Sequence, residues 1–240
     1  MIPRSRSLTV IVVLFSLACL VIAGHPSAMA QSVRELAKPT EIDAKLPHVL
    51  LIGDSISIGY TAAVRDELAG VANVFRPPTN CGPTTNGVEN LKDWLGDRRW
   101  AVIHFNFGLH DLKYMSPDGK NLADPDDPAN SKQVPPAEYV QNLTRIVDEL
   151  KKTDAKLIWR QTTPVPPGSK GRIADDAVFY NQLAAEVIDA AGDITTDPMH
   201  DYAGKPPIAG LQRAANVHYT PEGSKKLAQR VAAAIRQSLP

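Results

Sequence analysis

Ser55 ends the triplet Gly53-Asp54-Ser55, which follows directly on the apolar run His48-Val49-Leu50-Leu51-Ile52. A buried-strand pattern that stops this abruptly puts a serine hydroxyl at the carboxyl edge of a sheet, where open α/β folds bind ligands. A serine hydroxyl is a weak nucleophile at neutral pH. To attack a carbonyl it needs a base within hydrogen-bond reach and donors aimed at the oxyanion that forms. The stretch Asn216-Val217-His218-Tyr219-Thr220-Pro221-Glu222-Gly223 supplies a histidine, His218, just ahead of the last helical pattern. Between them lie Gly82, in Asn80-Cys81-Gly82-Pro83-Thr84-Thr85, and the segment Gly108-Leu109-His110-Asp111. The Gly-x-Ser-x-Gly elbow of α/β-hydrolases is absent, because Ser57 stands at its second glycine.

These residues can converge only if the elements that carry them share one edge. Short apolar runs at 48–52, 71–75, 101–107, 155–161 and 193–196 alternate with helical patterns near 58–68, 85–95, 136–152, 175–191 and 221–238. Runs such as Val49-Leu50-Leu51-Ile52 and Ala101-Val102-Ile103-His104-Phe105 are continuously apolar, as strands covered on both faces are. Alternating strands and helices predict an α/β fold with about five parallel strands in a three-layer sandwich. The last helix is the best defined, with Thr220 as N-cap, Pro221 at the first position and Leu227, Val231, Ala234 and Ile235 at helical spacing. In such a sheet Ser55, Gly82, His110 and His218 all follow strands and fall on the same carboxyl edge.

The blocks resemble those of the SGNH (GDSL-type) hydrolase superfamily from Val49 to the C-terminus. Gly53-Asp54-Ser55 is similar to its first block, Gly82-Pro83-Thr84-Thr85 to its second, Gly108-Leu109-His110-Asp111 to its third and the segment around His218 to its last. The resemblance implies a flavodoxin-like α/β/α sandwich, Ser55 as nucleophile, His218 as base, and an oxyanion hole of the Ser55 and Gly82 N–H groups with the third-block side chain. It implies no metal and no organic cofactor.

Two positions depart from that pattern. His110 replaces the family's asparagine; a neutral imidazole still offers one N–H. Ala215 stands where the family places an aspartate three residues before the histidine, so the group that orients the imidazole is missing. A backbone carbonyl near Ala215, or Asp197 or Asp201 beyond the fifth strand, could take that part; a Ser-His dyad or a weak enzyme are the other outcomes. The two departures also admit a catalytically silent domain that binds a glycan or cell-envelope ligand through the same cleft. The family's substrates span short-chain esters, thioesters, lysophospholipids and acetylated carbohydrates. With no large apolar lid segment, the expectation is a short acyl group on a small-molecule or carbohydrate ester.

The first 30 residues read as a signal peptide. Arg4 and Arg6 precede the uncharged run from Leu8 to Gly24, and Ala28-Met29-Ala30 has the small-x-small pattern of a cleavage site. That run of 17 residues predicts a secreted or periplasmic protein, with membrane attachment only if the segment stays uncleaved. Residues 31–47 read as an N-terminal arm and 48–240 as one catalytic domain. The chain has 26 basic and 26 acidic residues with no basic stripe, which argues against nucleic acid as a partner. Cys81 would be the one mature cysteine, so no internal disulfide is expected.

Other side chains read as structural. Asp54 fixes the turn behind Ser55, His104 is a core histidine, Asn106 and Asp111 brace the end of the third strand, Cys81 packs beside the Gly82 turn, and Trp94, Trp100 and Trp159 belong to packing. The acidic residues Asp124, Asp126 and Asp127 fail the EF-hand spacing, with Pro135 where the final glutamate belongs. The long loops at 116–135 and 164–173 read as solvated surface.

Overall fold

The computed structural model describes residues 33–240. Residues 1–30, which read as a signal peptide, lie outside the described residues, so the expectations of cleavage and export stand on sequence alone. Five parallel strands form one sheet in the order β2-β1-β3-β6-β7: β1 is His48–Ile52, β2 Asn73–Phe75, β3 Val102–Phe105, β6 Lys156–Arg160 and β7 Ile194–Asp197. The two remaining strands, β4 (Tyr114–Met115) and β5 (Ser131–Lys132), pair antiparallel outside that sheet. Helices α1 (Ser55–Glu67) and α6 (Pro221–Ser238) pack on each other, whereas α2 (Thr84–Leu95), α3 (Pro136–Leu150) and α4 (Asp176–Ala191) form a second contiguous set. The short α5 (Met199–Ala203) and a 3₁₀ turn at Ile208–Leu211 lead into the segment that carries His218.

The sheet core follows from the apolar runs. Val49 to Ile52 are buried, and their neighbours across the register, Val102, Ile103 and Phe105, are fully enclosed. Each such side chain stabilises the fold by about 1.5–3 kcal/mol relative to exposure. The buried polar residue of β3, His104, meets a buried carboxylate of β7, Asp197 Oδ2, at 3.4 Å. Arg230 donates to the other oxygen of Asp197 at 2.7 Å. The arm is tied to the sheet's edge: Asn73 exchanges hydrogen bonds with the backbone of Asp43, and Arg65 donates to the Leu36 carbonyl.

The strand order places the topological switch point between β1 and β3, whose chain connections leave toward opposite sides. Flavodoxin-like sheets bind ligands in that crevice. Ser55 follows β1 and the Gly108–Asp111 turn follows β3, so the two blocks flank it. Gly108 is required there: its φ is +154°, and a Cβ would lie 2.1 Å from Thr162 Oγ1.

Candidate active site

Helix α1 begins at Ser55 itself, three residues earlier than the apolar spacing suggests, because Asp54 caps it. The Asp54 carboxylate accepts the Ile56 N–H at 3.0 Å. Ser55 is therefore the first helical residue, and its N–H belongs to the first turn, whose donors have no partner within the helix. No acceptor for it exists among the described residues, so it is available to an incoming oxyanion.

The Ser55 Oγ and His218 Nε2 stand 2.9 Å apart. The group behind the imidazole is Asn216: its Oδ1 lies 2.7 Å from His218 Nδ1 and accepts the His218 backbone N–H at 2.9 Å. A backbone N–H can only donate, so the Asn216 atom that it meets is the oxygen. Nδ1 must then carry the proton, which leaves the Nε2 lone pair facing the serine hydroxyl. This is the tautomer a general base needs, fixed by an amide in place of a carboxylate. The Ala215 backbone makes the turn possible: its φ of +49° lies in the left-handed region, uncommon for a residue other than glycine.

The aspartates considered for this role are elsewhere. Asp197 is held between His104 and Arg230 in the core, and neither Asp197 nor Asp201 lines the clefts beside Ser55. Asp201 is exposed, with His200 Nδ1 at 3.9 Å. No carbonyl of Ala215 reaches the ring. Burial pushes the His218 pKa below its ordinary value, Arg213 and Arg172 add to the shift, and Asp54 opposes it. The imidazole is thus neutral, and a competent base, at and above neutral pH.

The oxyanion side differs from expectation at Gly82. Its φ of +64° fits the turn, and a Cβ would lie 2.7 Å from Asn86 Nδ2. Its N–H, however, donates to Asn80 Oδ1 at 3.0 Å, and Gly82 does not line the cleft. The reason is local: an asparagine side chain readily satisfies a backbone N–H two residues on. Asn80 itself does line the cleft. With its oxygen pinned by Gly82, the Asn80 carboxamide has its Nδ2 hydrogens free of any partner among the described residues. Asn80 and Asn216 are the two residues that the sequence reading missed. The signal for both was an asparagine two residues before a block residue, Gly82 or His218.

His110 lines the same cleft, with Lys113 Nζ 3.4 Å from its Nδ1. An ammonium can only donate, so that contact leaves the imidazole proton on Nε2. The pKa of His110 is pushed down to about 4, chiefly by burial; Asp54 raises it, and Lys113, Arg172 and His218 lower it. It is a neutral donor over the working range. Behind it, Asp111 is fully buried, and its Oδ1 accepts both the N–H and the hydroxyl of Thr84, at 2.7 and 2.6 Å. Asn106 spans β3 to β6 by donating to the Arg160 carbonyl at 2.8 Å. Both residues brace the strand end. Cys81 is buried and its thiol is pushed up to about 12, principally by burial, so it is inert at neutral pH.

Two clefts meet at Ser55 and His218. One, of about 760 Å³, runs along α1 and the start of α6, past Gly59, Ala63, Asp66 and Arg213. The other, of about 390 Å³, holds Asn80, His110 and the loop that carries Ser169, Lys170 and Arg172. That loop, expected to be solvated surface, is a wall of the site: Ser169 is buried, and Arg172 donates from Nε and Nη2 to the Leu109 carbonyl at 3.2 and 3.1 Å. Leu122, from the other long loop, completes this cleft. None of the three tryptophans lines either one. Among the described residues no cluster of His, Cys, Asp and Glu has the arrangement of a metal site.

No protein-family model and no curated protein matches the chain. Solved structures do. The chain is similar to a lipase/acylhydrolase from Enterococcus faecalis, with 18% identity and a TM-score of 0.64 over 81% of this chain and 98% of the other. It is also similar to the acetyl xylan esterase AlAXEase, at 13% identity and a TM-score of 0.62, covering 78% of this chain and 99% of that one. A third is a GDSL-like lipase from Bacteroides thetaiotaomicron, at 16% identity and a TM-score of 0.60, covering 88% and 96%. The chain has an α/β/α sandwich consistent with the fold of these structures. At these identities the likeness concerns the fold.

Proposed function

We propose that this protein is an exported serine ester hydrolase that cleaves short-chain acyl esters, O-acetyl esters of carbohydrates among them, through an acyl-enzyme. The observation that carries the proposal is the 2.9 Å approach of Ser55 Oγ to His218 Nε2, with the ring's tautomer set by Asn216. His218 Nε2 takes the hydroxyl proton as Oγ attacks the acyl carbonyl. The tetrahedral oxyanion is met by the Ser55 N–H, the Asn80 carboxamide and His110 Nε2–H, and Gly82 acts by holding Asn80. Collapse breaks the ester bond as His218 returns the proton to the leaving alcohol. Water then attacks the acyl carbonyl and gives a proton to His218 Nε2; the acyl–Oγ bond breaks as His218 passes that proton to Ser55 Oγ, releasing the acid and the free serine.

The acetyl xylan esterase among the similar structures supports a small acyl group on a carbohydrate, as does a sequence that carries no large apolar lid segment. The N-terminal sequence supports export. The reading as a silent glycan-binding domain drew on the missing aspartate and on His110; Asn216 behind the imidazole speaks against the first ground, and a neutral His110 that still offers an N–H speaks against the second. The test is hydrolysis of p-nitrophenyl acetate, butyrate and octanoate by the mature protein beside Ser55→Ala and His218→Ala. The expected result is turnover that falls with chain length and is lost in both variants. Turnover indifferent to both changes, or none with any ester, overturns the proposal.

A further inference from the structure

The smaller cleft beside Ser55 is lined by three cations, Lys113, Lys170 and Arg172, and by one acidic residue, Asp54. Asp54 is 3% exposed, and one of its carboxylate oxygens caps α1 by accepting the Ile56 N–H, so it offsets part of the positive charge and leaves a cationic excess. None of the three cations has an ion-pair partner among the described residues. Lys113 and Arg172 are half-buried, and the cost of burial shows in both, whose pKa values are pushed down by desolvation; for Lys113 the Arg172 charge adds to the shift and Asp111 opposes it, and for Arg172 the Asp54 charge opposes it.

The hydrogen bonds that these groups make leave donors over. Arg172 spends Nε and one Nη2 hydrogen on the Leu109 carbonyl, and Nη1 reaches the Lys170 carbonyl at 3.4 Å. Lys113 has one contact, at 3.4 Å, to a neutral imidazole. The exposed Lys170 ammonium has no partner among the described residues. Unpaired cations on an ordinary surface are hydrated and mean little. Here they line the same 390 Å³ cleft as the nucleophile and the base, on the wall made by a loop that packs onto the His110 turn.

Resting on the hydrolase reading, we propose that this cleft is an anion subsite and that the preferred ester carries a negative charge, a carboxylate or phosphate, close to its scissile bond. The charge can lie on the acyl or on the alcohol side. In either case it replaces the water around Lys113, Lys170 and Arg172 and relieves their mutual repulsion. The larger cleft, with Asp66 and Glu67 set against Arg213 and Lys225, has no such bias and suits the uncharged remainder of the substrate.

The experiment compares kcat/KM for two matched pairs. One is 4-acetoxybenzoate against its methyl ester, with the charge on the alcohol side. The other is the mono-4-nitrophenyl ester of adipic acid against 4-nitrophenyl hexanoate, with the charge on the acyl side. In parallel, binding of 4-acetoxybenzoate and of its methyl ester to Ser55→Ala is read by calorimetry, which needs no turnover. The expected result is a preference for the anion of about tenfold in at least one pair. It should shrink at high salt, as screening requires, fall in Lys170→Gln and reverse in Lys170→Glu; Ser55→Ala should bind 4-acetoxybenzoate more tightly than the methyl ester. A ratio at or below one in both pairs with no binding preference overturns the subsite, and so does a preference that ignores both Lys170 and salt. Failure to hydrolyse any ester overturns the hydrolase reading instead, while the calorimetric comparison still decides whether the cleft selects anions.

Discussion

Replacing Asn216 by aspartate changes one atom of the group behind the imidazole, and its effect can be worked out from the geometry. The acceptor oxygen lies 2.7 Å from His218 Nδ1 and also takes the His218 backbone N–H, and both bonds survive in a carboxylate. What changes is charge. Opposite unit charges about 4 Å apart attract by about 4 kcal/mol at an effective dielectric of 20 and by about 1 kcal/mol in water. Asn216 is exposed, so solvent screens a large share. A value of about 2 kcal/mol raises the His218 pKa by roughly 1.5 units. In the wild type burial keeps that pKa below 6.5, so kcat/KM should be level near neutrality and fall only on the acid side. In Asn216→Asp the acid limb should move up by about one to two units, and the plateau above it should rise about tenfold, because the imidazolium that forms during attack is stabilised. Asn216→Leu removes the acceptor and frees the tautomer, an error that costs about 10⁴ in serine proteases, so a loss of roughly 10² to 10⁴ is expected. A pH profile of kcat/KM from 4.5 to 9 for the three proteins, on p-nitrophenyl acetate, is the assay. An acid limb that stays in place in Asn216→Asp, or wild-type turnover in Asn216→Leu, refutes the assignment of Asn216.

On the proposed oxyanion role of the Asn80 carboxamide, Asn80→Ala should lower kcat by about 10²–10³ with a smaller change in KM, while Asn80→Asp, which sets a negative charge there, should lose more; steady-state kinetics of both variants check this. Asp111 is fully buried with one carboxylate oxygen unpartnered, and its pKa is pushed up to about 7, mainly by burial. The folded state therefore binds a proton that the unfolded state releases near pH 4, and this group's stability contribution is lost as pH rises from about 4 to 7. Asp111→Asn escapes that loss, so its Tm relative to wild type should rise between pH 5 and pH 8, by the equivalent of a few kcal/mol, as thermal melts at both pH values would show. Gly108→Ala puts a Cβ against the Thr162 hydroxyl, at 2.1 Å, and should cost about 2–4 kcal/mol in a urea titration, with activity falling as the β3 turn shifts.

Much of the fold is legible in the sequence because the central strands are buried on both faces. Val49–Ile52 and Val102–Phe105 leave no room for a polar alternation, and their lengths set the layer. Helix α6 is equally clear, since Thr220 and Pro221 mark its start, and the Thr220 hydroxyl accepts the Gly223 N–H at 3.1 Å. The start of α1 is not legible from apolar spacing, because a side-chain cap, Asp54, sets it. The short pair β4–β5 is missed for a related reason: two-residue strands in a loop rich in Pro, Asp and Asn carry no periodicity. At the site, the serine and histidine announce themselves by following strands. The groups that tune them do not, because Asn216 and Asn80 act through turns of two residues whose direction depends on backbone angles, such as the positive φ of Ala215. Asp197 and Asp201 read as candidates to orient His218 because they lie beyond the fifth strand, but the sequence offers no way to see that His104 and Arg230 already occupy Asp197.

The proposed hydrolysis depends on activation of Ser55 by His218. Reaction of the mature protein with a fluorophosphonate, followed by intact-mass and peptide mass spectrometry, tests that pair without assuming a substrate. The expected result is one adduct per chain, on Ser55, formed at least a hundredfold more slowly in His218→Ala and absent in Ser55→Ala. No adduct, an adduct on another residue, or labelling of Ser55 at the same rate without His218 would contradict it.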